Sequence, residues 1–162
     1  MPSEGTIKIN SDGALSVEER AAGGGGVARD NSNFLGAWCK VYPRLSNPLT
    51  IEALTLRDAV FFAVERQYSR VLFEVDCAEL VRVWSEGRRD RSVISPILDD
   101  IRELGQSFQS FSIQFVRREA NQSAHNCAKF ACNNVTSQVW LGASPQFLVH
   151  SLQADSNSMS LS

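Results

Sequence analysis

The amino-acid sequence predicts one α/β domain built around a mixed β-sheet. Three observations lead there. Three strand-like segments follow one another near the start, strand-like and helix-like segments then alternate, and a length of 162 residues suits a single domain. Strands that first run together and then alternate with helices imply a sheet holding both antiparallel and parallel pairs.

The elements follow in order. From Ile7 to Leu15 side chains alternate, with Ile7, Ile9, Gly13 and Leu15 on one side and Lys8, Asn10, Asp12 and Ala14 on the other, which is strand periodicity. The segment Gly23 to Arg29 ends in the polar turn sequence Asp30-Asn31-Ser32-Asn33, and Phe34 to Tyr42 is a third strand rich in aromatic and β-branched residues. Short turns between the three make an antiparallel meander. Asn47 then offers a helix cap and Pro48 suits a first helical position, after which Leu49, Ala53, Leu56, Val60 and Ala63 recur at helical steps. Arg70 to Val75 is a fourth strand, Cys77 to Trp84 a second helix ending near Gly87, and Pro96 to Phe108 a third helix. Phe111 to Val116 is a fifth strand, and Ala120 to Asn133 a last helix with Ala124, Cys127, Ala128 and Ala131 as its buried stripe. Beyond Asn134 the periodicity fades. The domain is therefore expected over residues 5–135, with residues 136–162 as a tail in which Trp140, Leu141, Phe147 and Leu148 could dock and the Ser-rich last ten residues are disordered.

Composition narrows the function. An apolar fraction of 43% is that of a globular protein, and no apolar run reaches the length of a membrane span. The stretch Met1 to Ile9 lacks the apolar centre of a signal peptide. The four cysteines, Cys39, Cys77, Cys127 and Cys132, show neither C-x-x-C spacing nor a His partner pattern for zinc, so they read as free thiols of an intracellular protein, cytoplasmic or nuclear. A net charge of −2 argues against strong indiscriminate nucleic-acid binding but allows a local basic groove from Arg82, Arg88, Arg89 and Arg91, or from Arg117 and Arg118. The run Gly23 to Gly26 precedes a strand rather than a helix and lacks Gly-Lys-Ser/Thr, so it reads as closely approached backbone and not as a phosphate loop.

Three acids stand out. Asp12 lies near the end of the first strand, Asp76 follows the fourth, and Glu52 sits one turn into the first helix, four residues before Leu56 and so at the border of the buried stripe. If the first and fourth strands are neighbours, their ends bring Asp12 and Asp76 together, and a helix crossing that sheet can add Glu52. Each residue alone is explained by a turn, a cap or the helix dipole. Together they would repel one another unless a divalent cation neutralised them, and oxygen-only ligands select hard cations such as Mg²⁺ or Mn²⁺. Two such ions about 3.5–4 Å apart can activate water and stabilise the leaving oxygen of a phosphodiester.

The segments Ile9-Asn10-Ser11-Asp12-Gly13-Ala14, Gly24-Gly25-Gly26-Val27-Ala28-Arg29-Asp30, Ile51-Glu52-Ala53-Leu54-Thr55-Leu56-Arg57, Val75-Asp76-Cys77 and Arg118-Glu119-Ala120-Asn121-Gln122-Ser123-Ala124-His125 resemble the RNase H-like family abundant in plants and related to retroelement reverse-transcriptase genes. The resemblance runs from about Ile7 to Asn133. It implies an RNase H-like fold with a five-stranded mixed sheet flanked by helices, with RNA–DNA hybrids as partner; the chain is expected to be a monomer. It also implies Mg²⁺-dependent cleavage of the RNA strand, leaving 5′-phosphate and 3′-hydroxyl ends. By position, Asp12 would bridge two Mg²⁺ or Mn²⁺ ions and Glu52 and Asp76 would hold the second. His125 stands where the family places a fourth acidic ligand, a softer and uncharged donor. Where some relatives carry a long basic extension, this chain has only Gly87 to Ser92; Arg88, Arg89 and Arg91 would contact phosphates, with Gly13, Asn47 and Thr50 beside the substrate and the last two reading the RNA 2′-hydroxyl. Two other readings compete: a non-catalytic module of the same fold that binds nucleic acid or a protein, and a metal-dependent nuclease of different specificity.

Overall fold

The structure, a computed structural model, describes residues 5–31, 33–87 and 93–160, the side chains of 156–160 excepted. Its strands are β1 (Thr6–Ser16), β2 (Ala21–Asp30), β3 (Asn33–Tyr42), β4 (Arg70–Val75), β5 (Ser110–Phe115) and β6 (Gln138–Leu141). Its helices are α1 (Pro48–Glu65), α2 (Ala78–Glu86), α3 (Ser95–Gly105), α4 (Gln122–Asn134) and α5 (Val149–Ser160). The sheet order is β5-β4-β1-β2-β3-β6. The pairs β1–β2, β2–β3 and β3–β6 are antiparallel, whereas β4 runs parallel to both β1 and β5. The mixed sheet follows from connection length: turns join the first three strands, while β4 and β5 are each reached through helices, which permits parallel pairing.

The glycine strand explains how helices cover both faces. A Cβ at Gly24 would come within 2.2 Å of Thr55 Oγ1 on α1, and one at Gly25 within 2.5 Å of the Cys127 Cβ on α4. Successive residues of a strand point to opposite faces, so α1 and α4 lie on opposite sides of the sheet, each pressed against bare backbone. On the α1 side, Ala53, Leu56, Val60 and Ala63 pack with Ile9, Phe73, Leu80, Val83, Leu98 and Ile101 into the larger core. On the α4 side, Cys127 and Ala131 meet Val27, Ala37, Cys39 and Leu148. All four cysteines are free. Among the described residues no helix is long and apolar enough to cross a membrane.

The end of the chain departs from expectation. The sheet has six strands rather than five, because Gln138–Leu141 pairs with β3 from Gly36↔Leu141 to Cys39↔Gln138. Structure therefore continues past the expected boundary at residue 135. Trp140 and Phe147 do dock: their rings lie 5.5 Å apart, and each contacts Phe130 of α4, at 5.5 and 4.6 Å respectively. The last ten residues were expected to be disordered, but residues 153–160 belong to α5. Leu152 packs on the α4-side core and Asp155 is fully buried, so burial rather than helical propensity explains why a Ser-rich segment is ordered there.

Candidate metal centre

The parallel ladder between β1 and β4 ends at Ser11↔Val75, so the next residues of the two strands, Asp12 and Asp76, emerge side by side. On α1, Asn47 caps the helix by accepting from the Thr50 amide at 3.0 Å, and Pro48 holds the first turn. Ile51 and Ala53 point into the core, which leaves Glu52 on the rim facing the strand ends. Gly13 makes this approach possible. A Cβ there would fall 2.8 Å from Ile51 Cγ2 and 3.4 Å from the Glu52 carboxyl carbon. Asp12, Glu52 and Asp76 each offer a carboxylate oxygen, and these oxygens lie within 4.8 Å of one another.

Crowding sets the electrostatics. Burial, reinforced by the charge of Asp12, a hydrogen bond with Asp12 and the charge of Asp76, pushes the Glu52 carboxyl far above the carboxylate range. Burial and then Asp12 raise Asp76 to about 6, while Arg118 and Asn121 pull the other way. The Arg118 Nε lies 3.9 Å from Asp76 Oδ2. The buried Glu52 Oε2 and Asp76 Oδ2 have no hydrogen-bond partner. Unpaired buried carboxylate oxygens are costly for the bare protein, and an all-oxygen set of this charge fits a hard divalent cation. These observations fit the cation that the sequence calls for.

The other expected residues divide. His125, on the second turn of α4, places Nδ1 2.9 Å from Asp12 Oδ2, and its side chain is about two-fifths exposed at 39%. Asn47 is exposed and Thr50 half-buried at the start of α1; the Asn47 side-chain oxygen is occupied by capping, which leaves its amide nitrogen for a ligand. Arg88, Arg89 and Arg91 lie outside the described residues. Arg82 pairs with Glu86 at 2.5 Å on α2.

A buried polar network behind the acids escaped the sequence reading. The Asn10 amide donates to Glu74 Oε1 at 3.1 Å and to Asn121 Oδ1 at 2.9 Å, and Arg29 Nη2 donates to Asn10 Oδ1 at 3.1 Å. The Asn121 amide donates to the carbonyl of Ser11, the residue before Asp12, at 3.0 Å. Asp155 accepts from the Gln122 and Ser123 amides at 3.1 and 2.9 Å. Asn10 and Asn121 stood within the recognised motifs; their polarity amid buried neighbours was the available signal.

This sheet order, with helices on both faces and acids at the β1 and β4 ends, defines the RNase H fold. The N-terminal RNase H domain of a Mycobacterium tuberculosis protein superposes with a TM-score of 0.71 at 20% identity, covering 80% of this chain and 94% of that domain. Ribonuclease H1 of the archaeon Halobacterium salinarum gives a TM-score of 0.70 at 21% identity, covering 80% and 98%. A ribonuclease H1 from compost, solved with an RNA/DNA hybrid, gives 0.68 at 18% identity, covering 80% and 98%. By sequence, residues 10–131 match the reverse transcriptase-like family, and the chain belongs to that family. It is 32% identical over 134 residues to a protein of Arabidopsis thaliana named as a candidate ribonuclease H protein, a match that spans 80% of this chain but only 21% of that relative.

Proposed function

We propose that this domain is a metal-dependent endoribonuclease that cleaves the RNA strand of RNA–DNA hybrids. The observation that carries the reading is the convergence of Asp12, Glu52 and Asp76 within 4.8 Å, with a buried oxygen of Glu52 and one of Asp76 unpaired. Family membership and the hybrid bound by one fold relative support it. Asp12, Glu52 and Asp76 would hold the cation, which when bound would acidify a water and offset charge on the leaving oxygen. The chain's own residues do the positioning. Asp12 acts electrostatically on both of the other acids, whose carboxylate oxygens lie within 4.8 Å of its own. His125 fixes Asp12 through Nδ1, which leaves Nε2 as the ring nitrogen free for a cation or a proton. Asn47 at the N-cap of α1 and Thr50 in its first turn would meet the RNA 2′-hydroxyls, and Gly13 keeps the floor of the site free of a side chain. Arg88, Arg89 and Arg91 would contact phosphates.

The test is a cleavage assay with a labelled hybrid, duplex DNA and duplex RNA under Mg²⁺ or Mn²⁺. Cutting of the RNA strand of the hybrid alone, with 5′-phosphate ends and lost in Asp12→Asn, is the expected result. Failure to cut under either cation would make the domain a binding module of the same fold.

A further inference from the structure

Asn121 stands at the N-cap of α4, where an asparagine side chain ordinarily accepts from the second or third amide of its own helix. It does not do so here, and makes no side-chain cap bond. Its amide is turned inward instead, fully buried, donating to the Ser11 carbonyl at 3.0 Å and accepting from Asn10 at 2.9 Å. The amides of Gln122 and Ser123 at the start of α4 are taken instead by the two carboxylate oxygens of Asp155, on the helix that begins at Val149. Asp155 is fully buried. Its charge also faces the buried Arg29 guanidinium, which in turn holds Asn10 at 3.1 Å.

We propose that Asp155 is a positioning residue for the acidic centre: by capping α4 from α5 it frees the Asn121 side chain to hold the end of β1 that carries Asp12. The two arrangements of Asn121 exclude one another. With Asp155 in place, the α4 amides are satisfied and Asn121 can serve the strand. Without it, the buried Ser123 N–H and the half-buried Gln122 N–H lose their acceptor, and the Asn121 oxygen, at the N-cap, is the local replacement for Ser123. Rotation of Asn121 into the cap would abandon Ser11 and Asn10. The strand end that aims Asp12 would then lose its tether. Asp155 lies beyond residues 10–131, the span matched by the family, so α5 would act as an added element that sets the geometry of an otherwise shared site.

The inference rests on the proposed cation site for one of its two readouts only. The first is hydrogen exchange of the Asn121 side-chain amide, followed by NMR on the metal-free full chain. It should be protected in wild type and lose that protection in Asp155→Ala. Asp155→Asn, with one acceptor oxygen in place of two, should fold even if Asp155→Ala does not, and should lose part of the protection. The second readout is Mn²⁺ affinity. Asp155→Ala should weaken it by about 10-fold, the usual effect of losing support behind a metal ligand, yet should weaken it no further in a chain that already carries Asn121→Ala. Unchanged Asn121 exchange in a folded Asp155 variant would overturn the proposal, as would an equal loss of Mn²⁺ affinity in both backgrounds. A wild type that binds no Mn²⁺ would refute the proposed function but leave Asn121 exchange to decide this point.

Discussion

His125 on α4 and Asp12 on β1, 113 residues apart in sequence, meet through Nδ1 and Oδ2 at 2.9 Å. The contact joins the helix on one face of the sheet to the acid at the centre of the trio, and it puts a nitrogen where the family resemblance calls for a carboxylate. A nitrogen donor attracts Mn²⁺ more than Mg²⁺. The domain should therefore cleave faster with Mn²⁺, and His125→Asp should move the Mn²⁺-to-Mg²⁺ rate ratio toward Mg²⁺ by about 10-fold. Parallel rate measurements with the two ions check this; an unchanged ratio would separate His125 from the cation.

Asp12 is 4% exposed and lies against two other acids. Replacing it by a neutral isostere removes the charge that both neighbours share. Asp12→Asn should stabilise the metal-free protein by about 1 kcal/mol, a small part of the Coulomb repulsion between such neighbours. That corresponds to a rise in melting temperature of about 2–4 °C for a chain of this size. Thermal unfolding in chelator, wild type against variant, tests it. A lower melting temperature for the variant would mean that Asp12 holds the fold together rather than straining it.

The same crowding dictates how stability responds to pH. The Asp76 carboxyl is raised to about 6 in the folded chain, against about 4 when unfolded. Folding therefore favours its protonated form. That contribution is complete below pH about 4 and is lost as pH rises through about 6. Glu52, raised further, extends the loss into the alkaline range. The metal-free protein should lose stability as pH rises from about 5 to 8. The gain in melting temperature from added Mn²⁺ should grow over the same range, because cation and proton compete for the same oxygens. Melting curves at several pH values, with and without Mn²⁺, give the comparison; a Mn²⁺ gain that shrank toward alkaline pH would contradict it.

Phe130 stacks on Phe147 at 4.6 Å and meets Trp140 edge-on at 5.5 Å, tying β6 and the segment before α5 to α4. Phe130→Ala should cost about 3 kcal/mol, in line with truncation of a packed aromatic side chain. Urea unfolding measures it. A loss under about 1 kcal/mol would show that the C-terminal segment adds little to the domain.

Why these particular features and not others could be read beforehand has a physical basis. The helical repeat of Leu49 to Ala63, the alternation from Ile7 to Leu15 and the Asn47-Pro48 start are local patterns, and the structure follows them closely. Asp12, Glu52 and Asp76 were legible because strand ends and a first helical turn have predictable places once the element order is known. β6 was missed because four residues, Gln138 to Leu141, are too few to show a period, and only pairing with β3 makes them a strand. The Asp155 cap was invisible for a different reason. Capping is read from residues adjacent to a helix start, and this acceptor comes from 32 and 33 residues away. The local candidate, Asn121, pointed to the ordinary arrangement and not to the one found.

The central claim is that three carboxylates from β1, α1 and the end of β4 form one divalent-cation site. Calorimetric titration of the metal-free protein with Mn²⁺ at pH about 7.5 tests it most directly. Saturable binding to wild type, weakened by more than about 100-fold in Asp12→Asn, is the predicted result, since a direct ligand should matter more than its supporting neighbours. Binding of equal strength to both proteins, or no binding to wild type, would contradict the account.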